Sequence, residues 1–292
     1  MNVKKWLKNN TKSLEGRTIA VTGSTGGIGR ELCRYLLSLN ASLILIDRSK
    51  EKSDELCKIL TWEFKEPKIE QMFADMENIE SVRIVCDALK KYPLDALILN
   101  AGAYSIPRHK CSTGYDNVFQ INFVSPYFMV RKLLPCLRER GGTVVAVGSI
   151  AHNYSKTDAK DIDFSTRKRA SLVYGNAKRY VMYALQGLFQ NETEVKLAVT
   201  HPGITFTGIT AHYPKLIFAV IKHPMKVIFM KPRTACLSIL YGLFKKCEKG
   251  SWIGPAVFDV WGKPQKKHLR TASEKEQNHI CIEAERIFKE IK

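Results

Sequence analysis

The sequence predicts an α/β protein in which a doubly wound parallel β-sheet forms a single domain. Short, almost entirely apolar segments alternate with segments whose apolar residues recur at helical spacing. Strands that are apolar throughout are typical of parallel sheets covered by helices on both faces. The 292 residues suffice for one large domain of this class, and the sequence shows no internal repeat or low-complexity linker.

Six strands and the helices between them are predicted in chain order. The predicted strands are 17–23, 41–47, 69–76, 94–102, 141–150 and 195–203. The predicted helices are 27–40, a helix containing Leu56, Ile59 and Leu60, 79–92, most of 115–138, and 171–191. Ser273 and Glu276 predict a capping box that opens a last helix.

Composition narrows the class of protein. Lys and Arg number 46 against 28 Asp and Glu, which gives a net charge of +18. The charge is spread along the chain, without a basic stripe interleaved with aromatics, so we do not predict nucleic-acid binding. The eight cysteines lie far apart without metal-ligand spacing, so neither a disulfide framework nor a metal site is predicted. We expect a cytoplasmic protein, with peripheral membrane contact left open.

The segment TGSTGGIG at 22–29 follows the first strand directly and opens the first helix. Gly23 permits a tight turn, Gly27 lets a pyrophosphate approach the backbone, and Gly29 allows close packing of helix on strand. The free N–H groups and the partial positive charge of a helix N-terminus attract phosphate. The segment therefore predicts a dinucleotide site, to which we also assign Thr25 and Ile28.

The ends of the second and third strands carry the residues expected at the adenosine half of such a ligand. Asp47 ends the second strand, where a carboxylate can bind the ribose hydroxyls and exclude a 2′-phosphate. Arg48 follows and could instead attract that phosphate. We favour NAD as the cofactor and leave NADP open. Asp75, with Met76, could contact the adenine, although a surface turn is the alternative for Asp75.

The stretch YGNAK places Tyr174 and Lys178 four residues apart on a predicted helix, and therefore on one face. A phenol has a pKa near 10, and an adjacent ammonium favours the phenolate. We expect Lys178 to lower the pKa of Tyr174, which then exchanges a proton with a substrate oxygen. Ser149, at the end of the fifth strand, would hydrogen-bond the same oxygen.

These motifs occur together in one order: TGxxxGxG at 22–29, NAG at 100–102, Asn122, Ser149, Tyr174-x-x-x-Lys178, and PG at 202–203. From about residue 17 to 260 the chain resembles the short-chain dehydrogenase/reductase family. The segment 149–164, with its DIDF stretch and a spacing of 25 residues between Ser149 and Tyr174, resembles the retinol-dehydrogenase-like branch. That branch usually favours NADP, whereas Asp47 argues for NAD.

The resemblance implies a Rossmann fold and roles for further residues. Asn122 would bind a water that relays protons to Lys178, and Lys178 would also hold the nicotinamide ribose. Cofactor contacts are implied for residues after three strands: Asn100, Ala101, Gly102, Pro202, Gly203 and Thr205. A homodimer or homotetramer through the helices at 115–138 and 171–191 is also implied.

The domain prediction follows from these assignments. Residues 1–16 are predicted as a basic extension, 17–270 as the dinucleotide-binding and catalytic domain, and 271–292 as a C-terminal helix. Within the domain, residues 206–230 are expected to form an apolar substrate lid. Its part 216–230 is interrupted by charged residues and a proline, and is too short for a spanning helix.

The predicted function is an NAD(P)-dependent oxidoreductase that interconverts a lipophilic alcohol and its ketone or aldehyde, such as a steroid or retinoid. Two alternatives stay open at this point. One is a dinucleotide-binding regulator without turnover. The other is an enzyme bound to a membrane surface through its positive charge and residues 216–230.

Overall fold

Eight strands form one sheet at the centre of the structure, a computed structural model that describes residues 2–205, 230–245, 247–248, 250–269 and 271–292. In chain order the strands are β1 Thr18–Thr22, β2 Ser42–Asp47, β3 Ile69–Phe73, β4 Leu94–Leu99, β5 Thr143–Val147, β6 Lys196–Thr200, β7 Ser251–Val257 and β8 Trp261–His268. Across the sheet their order is β3-β2-β1-β4-β5-β6-β7-β8. Strands β1 to β7 run parallel, and β8 pairs antiparallel with β7.

Helices cover both faces of the sheet. They are α1 Val3–Asn10, α2 Gly27–Ser38, α3 Lys50–Glu63, α4 Ile79–Leu89, α5 Asn117–Phe119, α6 Ser125–Glu139, α7 Ala170–Leu188, α8 Pro232–Phe244 and α9 Glu274–Ile291. Helices α1, α2, α3 and α8 bury one apolar cluster, and α4, α6, α7 and α9 bury the other. The predicted doubly wound parallel sheet is confirmed.

The chain order of the strands reverses between β1 and β4, which are neighbours in the sheet. Ligands bind to such sheets at this reversal, beyond the carboxyl ends of the strands. Four strands end three residues earlier than predicted, at Phe73, Leu99, Val147 and Thr200. The site residues that follow them therefore lie in loops at the carboxyl edge. After β4, the Thr22 side chain accepts hydrogen bonds from the backbone N–H groups of Asn100 and Ala101.

Four elements are absent from the sequence prediction: α1, α8, β7 and β8. Residues 1–16, predicted only as a basic extension, contain α1, whose Trp6 is buried with its ring centroid 5.8 Å from that of Tyr241 on α8. The predicted lid at 206–230 lies outside the described residues except for Met230. At its borders, Thr205 and Met230 form a parallel β-bridge.

The predicted helix at 115–138 is divided into three parts. Between α5 and α6 the residues Gln120–Val124 form a π-helical turn. Pro126 lies in the first turn of α6, which directly follows this π-helical turn, and has no N–H to donate to a carbonyl group of the π-helical turn. Single π-turns are common at functional sites, and this one contains Asn122.

Candidate active site

The glycine-rich loop connects β1 to α2 at the carboxyl edge. Gly23 has a φ of 65°, and a Cβ there would lie 2.9 Å from the Ala101 Cα. A Cβ on Gly29 would lie 2.3 Å from the Gly23 carbonyl oxygen, so both positions require glycine. Gly26 precedes α2, and no described side chain caps it. The first N–H groups of α2 are thus available to an anion.

A cavity of about 430 Å³ lies against this loop, at the reversal of the strand order. Twelve predicted cofactor residues line it: Gly23, Thr25, Gly27, Ile28, Gly29, Asp47, Arg48, Asp75, Met76, Asn100, Ala101 and Gly102. The fold therefore brings together residues from the ends of β1, β2, β3 and β4. Lys52 and Tyr104 also line the cavity, and neither was predicted from the sequence. Lys52 could have been found from its place just after Arg48, in the first turn of α3.

The carboxylate of Asp47 accepts hydrogen bonds from other groups of the protein. Its Oδ2 accepts hydrogen bonds from Ser24 Oγ at 2.5 Å and from Ser53 Oγ at 3.2 Å. Its Oδ1 accepts from the Thr25 N–H at 3.1 Å and the Thr25 hydroxyl at 3.2 Å. With 2% of its surface exposed, Asp47 ties β2 to the glycine-rich loop. Arg48 is exposed beside the same cavity.

Asn100 joins β4 to the start of the glycine-rich loop. Its Nδ2 donates to the carbonyl oxygens of Thr22 and Gly23, at 3.1 and 2.9 Å. The backbone N–H groups of Asn100 and Ala101 both donate to Thr22 Oγ1 at 3.0 Å. This network holds Ala101 close to Gly23, so Asn100 shapes the cavity wall.

Asn122 is buried with one side-chain atom unpaired. Its Nδ2 donates to the carbonyl oxygens of Ala103 and Val118, both at 2.8 Å. Its Oδ1 has no hydrogen-bond partner among the described residues. A Cβ on Gly102 would lie 2.9 Å from this oxygen and 3.6 Å from Lys178 Nζ. Asn122 therefore presents a free acceptor on the side of Gly102 where the Lys178 amine lies.

Ser149, Tyr174 and Lys178 come together at the ends of β5 and α7. Lys178 Nζ lies 5.6 Å from the centroid of the Tyr174 ring, one helical turn away. The side chain of Ser149 lies close enough to the Tyr174 phenol to lower its pKa. Tyr104 packs edge-on against Tyr174, with 5.3 Å between the ring centroids. The structure thus assembles the three predicted catalytic side chains near Asn122 and Gly102.

Burial dominates the titration of Tyr174 and Lys178. Loss of hydration raises the pKa of Tyr174 to about 12, although the Ser149 side chain opposes the rise. Burial lowers the pKa of Lys178 to about 8, and its Nζ donates to the Val147 carbonyl at 2.8 Å. In the chain alone burial raises the pKa of Tyr174, and the predicted lowering by Lys178 stays a prediction for the protein with its cofactor bound. Tyr174 is therefore a protonated donor at neutral pH.

Pro202, Gly203 and Thr205 follow β6 and are not among the residues that line the cavity. Gly203 has a φ of 84°, and a Cβ there would lie 2.7 Å from the Val260 carbonyl oxygen. The loop after β6 is thus packed against the turn between β7 and β8. The cofactor contacts predicted for these three residues stay predictions.

Arg179, next to Lys178, anchors the C-terminal helix. Its guanidinium forms two hydrogen bonds with the Glu276 carboxylate, both 2.7 Å, and donates to the His152 carbonyl at 2.8 Å. The predicted capping box is half formed, because Ser273 accepts from the Glu276 N–H while the carboxylate binds Arg179. Through this pair α9 holds the turn that follows Ser149.

Comparison with known proteins decides the family. A family model described as short chain dehydrogenase matches residues 17–215, more than half of the chain. The chain belongs to the short-chain dehydrogenase family. It is therefore an oxidoreductase with a nicotinamide dinucleotide cofactor, acting on a small alcohol or carbonyl compound.

Curated relatives confirm the resemblance to the retinol-dehydrogenase-like branch. Human polyprenol dehydrogenase is 26% identical over 247 residues, which cover 81% of this chain and 70% of that protein. Mouse retinol dehydrogenase 14 is 26% identical over 219 residues, covering 68% of this chain and 64% of that protein.

Solved structures confirm the fold. An uncharacterized protein from Mycobacterium paratuberculosis has a TM-score of 0.77 at 21% identity and covers 96% of both chains. A 3-oxoacyl (acyl-carrier-protein) reductase from Agrobacterium tumefaciens, crystallised with NADP bound, has a TM-score of 0.63 at 19% identity and covers 80% of this chain and 89% of that one. Within the described residues, the helices are all too short or too polar to span a membrane.

Proposed function

We propose that the protein interconverts a lipophilic alcohol and its ketone or aldehyde with NADP(H), and that Asn122, Ser149, Tyr174 and Lys178 carry the reaction. The observation that carries this proposal is the Tyr174 phenol, with the Ser149 side chain beside it and Lys178 one helical turn away. A proton donor and a second hydrogen-bonding group on one oxygen are what carbonyl reduction requires.

The cavity suits a dinucleotide in shape and in chemistry. At Gly23, Gly29 and Gly102 a Cβ would meet neighbouring protein atoms at 2.9 Å or less, so the segments that form this wall of the cavity pack closely on one another. The N-terminus of α2 would hold the pyrophosphate, and Lys178 would hold the ribose next to the nicotinamide. The unpaired Asn122 Oδ1 would accept a hydrogen bond from a water in the same region.

The hydrogen bonds that Asp47 already accepts favour NADP over NAD as the cofactor. A carboxylate that already accepts four hydrogen bonds has little capacity left for ribose hydroxyls. Arg48 and Lys52 line the same end of the cavity and offer positive charge to a 2′-phosphate. Arg48→Ala should reduce the preference for NADP by at least about tenfold, since hydrogen bonds to charged groups contribute about 1.5–3 kcal/mol. If kcat/KM for NADP relative to that for NAD were the same in the variant and the wild type, Asp47 rather than Arg48 would determine the cofactor preference.

The protein's part in the chemistry is proton transfer and positioning. When bound, the nicotinamide supplies or accepts the hydride. Tyr174 donates its phenolic proton to the carbonyl oxygen during reduction and takes it back during oxidation. Ser149 hydrogen-bonds the same oxygen and stabilises its negative charge. The ammonium of Lys178 stabilises the phenolate left on Tyr174, and a water on Asn122 returns the proton through Lys178.

The raised pKa of Tyr174 keeps its phenol protonated at neutral pH. A phenol with a pKa of about 12 is protonated at pH 7, as a general acid must be. Oxidation requires the phenolate, which is scarce until positive charge arrives with the cofactor. Without cofactor Tyr174 is therefore an acid rather than a base at pH 7.

The lipophilic substrate class rests on the relatives, because polyprenols and retinol are both long apolar alcohols. A steroid, retinoid or polyprenol-like carbonyl is the substrate we propose, and a homodimer or homotetramer the assembly. The assay follows NADPH oxidation with a panel of such carbonyls, for the wild type and for Tyr174→Phe. Cofactor binding without turnover on the entire panel would favour a dinucleotide-binding regulator, for which no feature of the described site argues.

A further inference from the structure

We propose that the tip of the β7–β8 hairpin, residues 257–261, docks on an anionic lipid surface. This inference rests on the proposed function in one respect: a lipid surface is where a lipophilic substrate would be found. The docking itself is carried by the shape, exposure and charge of the hairpin tip.

The hairpin tip projects from the edge of the sheet that carries the active site. Strand β7 runs parallel to β6, so Val257 lies at the carboxyl edge together with the ends of β1 to β6. Strand β8 returns from that edge in the antiparallel sense. The Val260 carbonyl lies against Gly203, in the loop after β6. A surface that contacts the hairpin tip would therefore face the carboxyl edge of the sheet, at which Ser149 and Tyr174 lie.

The hairpin tip exposes apolar side chains that a soluble turn would not need. Phe258 is 83% exposed, Val257 45% and Trp261 39%. Among the described residues eight large apolar side chains are exposed, and three of them belong to these five positions. A cluster of this kind marks a surface that binds another surface. Aromatic side chains in particular favour the headgroup level of a bilayer.

The backbone at the tip is strained in a way that keeps Phe258 exposed. Phe258 and Asp259 have φ values of 50° and 58°. Such turns favour glycine or asparagine, and a bulky aromatic residue in the left-handed region is rare. An aromatic side chain held there, with its ring in water, stabilises neither the turn nor the core. A contact between Phe258 and a surface outside the protein would account for its position.

The charge around the hairpin tip suits anionic headgroups. Asp259, the one acidic residue of the hairpin, is neutralised by Lys267 at 2.8 Å. Lys263 is exposed on β8 next to the apolar tip, whereas Lys266, further along β8, forms an ion pair with Glu248. The chain as a whole carries a net charge of +18. Reversible binding to a lipid surface usually combines apolar side chains that insert into the bilayer with basic side chains that attract anionic headgroups.

The test is flotation of the full-length protein with vesicles of phosphatidylcholine and phosphatidylserine at a ratio of three to one. Wild type should bind, and Phe258→Ser should lower the partition coefficient about tenfold or more, the value of one buried aromatic side chain. Lys263→Glu should weaken binding to these vesicles but not to pure phosphatidylcholine. Because Phe258 is exposed, its replacement should leave the melting temperature unchanged or raise it.

The matched control is Trp62→Ser. Trp62 is 87% exposed near the end of α3, at the opposite edge of the sheet, so its loss should leave vesicle binding unchanged. Equal binding of Phe258→Ser and wild type, or no binding of wild type at low salt, would overturn the proposal. If the wild type did not bind vesicles and its molecular mass in solution fell with Phe258→Ser, the hairpin tip would instead contact a second copy of the chain. No substrate is needed, so this result is independent of the proposed reaction.

Discussion

Replacing Lys178 with methionine removes an ammonium group that the fold buries, and its effect on stability can be worked out from the structure. Lys178 is 4% exposed, and burial lowers its pKa from 10.5 to about 8. At 1.36 kcal/mol for each pKa unit, keeping this amine charged in the folded chain costs about 3 kcal/mol. The expected effect is therefore large enough to measure.

The sign follows from the two pKa values. Below pH 8 the amine is charged in both the folded and the unfolded chain, and the folded chain carries the full cost. As the pH rises from about 8 towards 10.5, the folded chain loses this proton first. The unfolded chain then binds more protons, so the free energy of unfolding rises, by up to about 3 kcal/mol. In Lys178→Met this rise is absent.

The assay is urea unfolding of wild type and Lys178→Met without cofactor at pH 7, 8.5 and 10. Relative to the wild type, the variant should lose stability as the pH rises. Loss of the hydrogen bond to the Val147 carbonyl subtracts about 1–3 kcal/mol at every pH and leaves the trend unchanged. Lys58→Met, at an exposed position on α3, should follow the wild type. Parallel pH profiles for wild type and Lys178→Met would refute the reasoning.

Three further predictions follow from the same geometry. Gly102→Ala places a Cβ 2.9 Å from Asn122 Oδ1, so it should weaken cofactor binding and lower kcat by about a hundredfold, as measured by titration and initial rates. Glu276→Gln breaks the buried pair with Arg179 and should lower the free energy of unfolding by about 3 kcal/mol, whereas exposed Glu274→Gln should not. The rate of carbonyl reduction should fall as the pH rises through about 8, because Lys178 loses its charge, and a flat profile to pH 9.5 would contradict that role.

The sheet could be predicted where its strands are apolar throughout, because such segments are buried whatever surrounds them. The segment SLILID of β2 is of this kind. Strand β8, WGKPQKKH, contains a proline and three lysines because it lies at the edge of the sheet with one side in water. Helix α8 and strand β7 follow residues 206–230, which the sequence analysis assigned to a lid. Strands β7 and β8 both lack the apolar pattern from which the first six strands were predicted.

The site could be predicted where one short segment holds all the chemistry, as in the glycine-rich loop and in YGNAK. The hydrogen bonds and pKa values that could not be predicted depend on residues distant in the sequence. Asp47 was expected to face a ribose, yet Ser24 and Ser53 occupy its oxygens from two other segments. The pKa of Tyr174 depends on burial, which the spacing to Lys178 does not reveal.

The central claim is that Tyr174 transfers the proton to and from the substrate oxygen. The most direct measurement compares single-turnover carbonyl reduction by wild type and Tyr174→Phe, both saturated with NADPH, with the Kd for NADPH measured alongside. Loss of the phenol should slow reduction by about 10²–10⁴-fold while the Kd changes by less than about twofold. A variant that reduces the carbonyl at the wild-type rate would contradict the account.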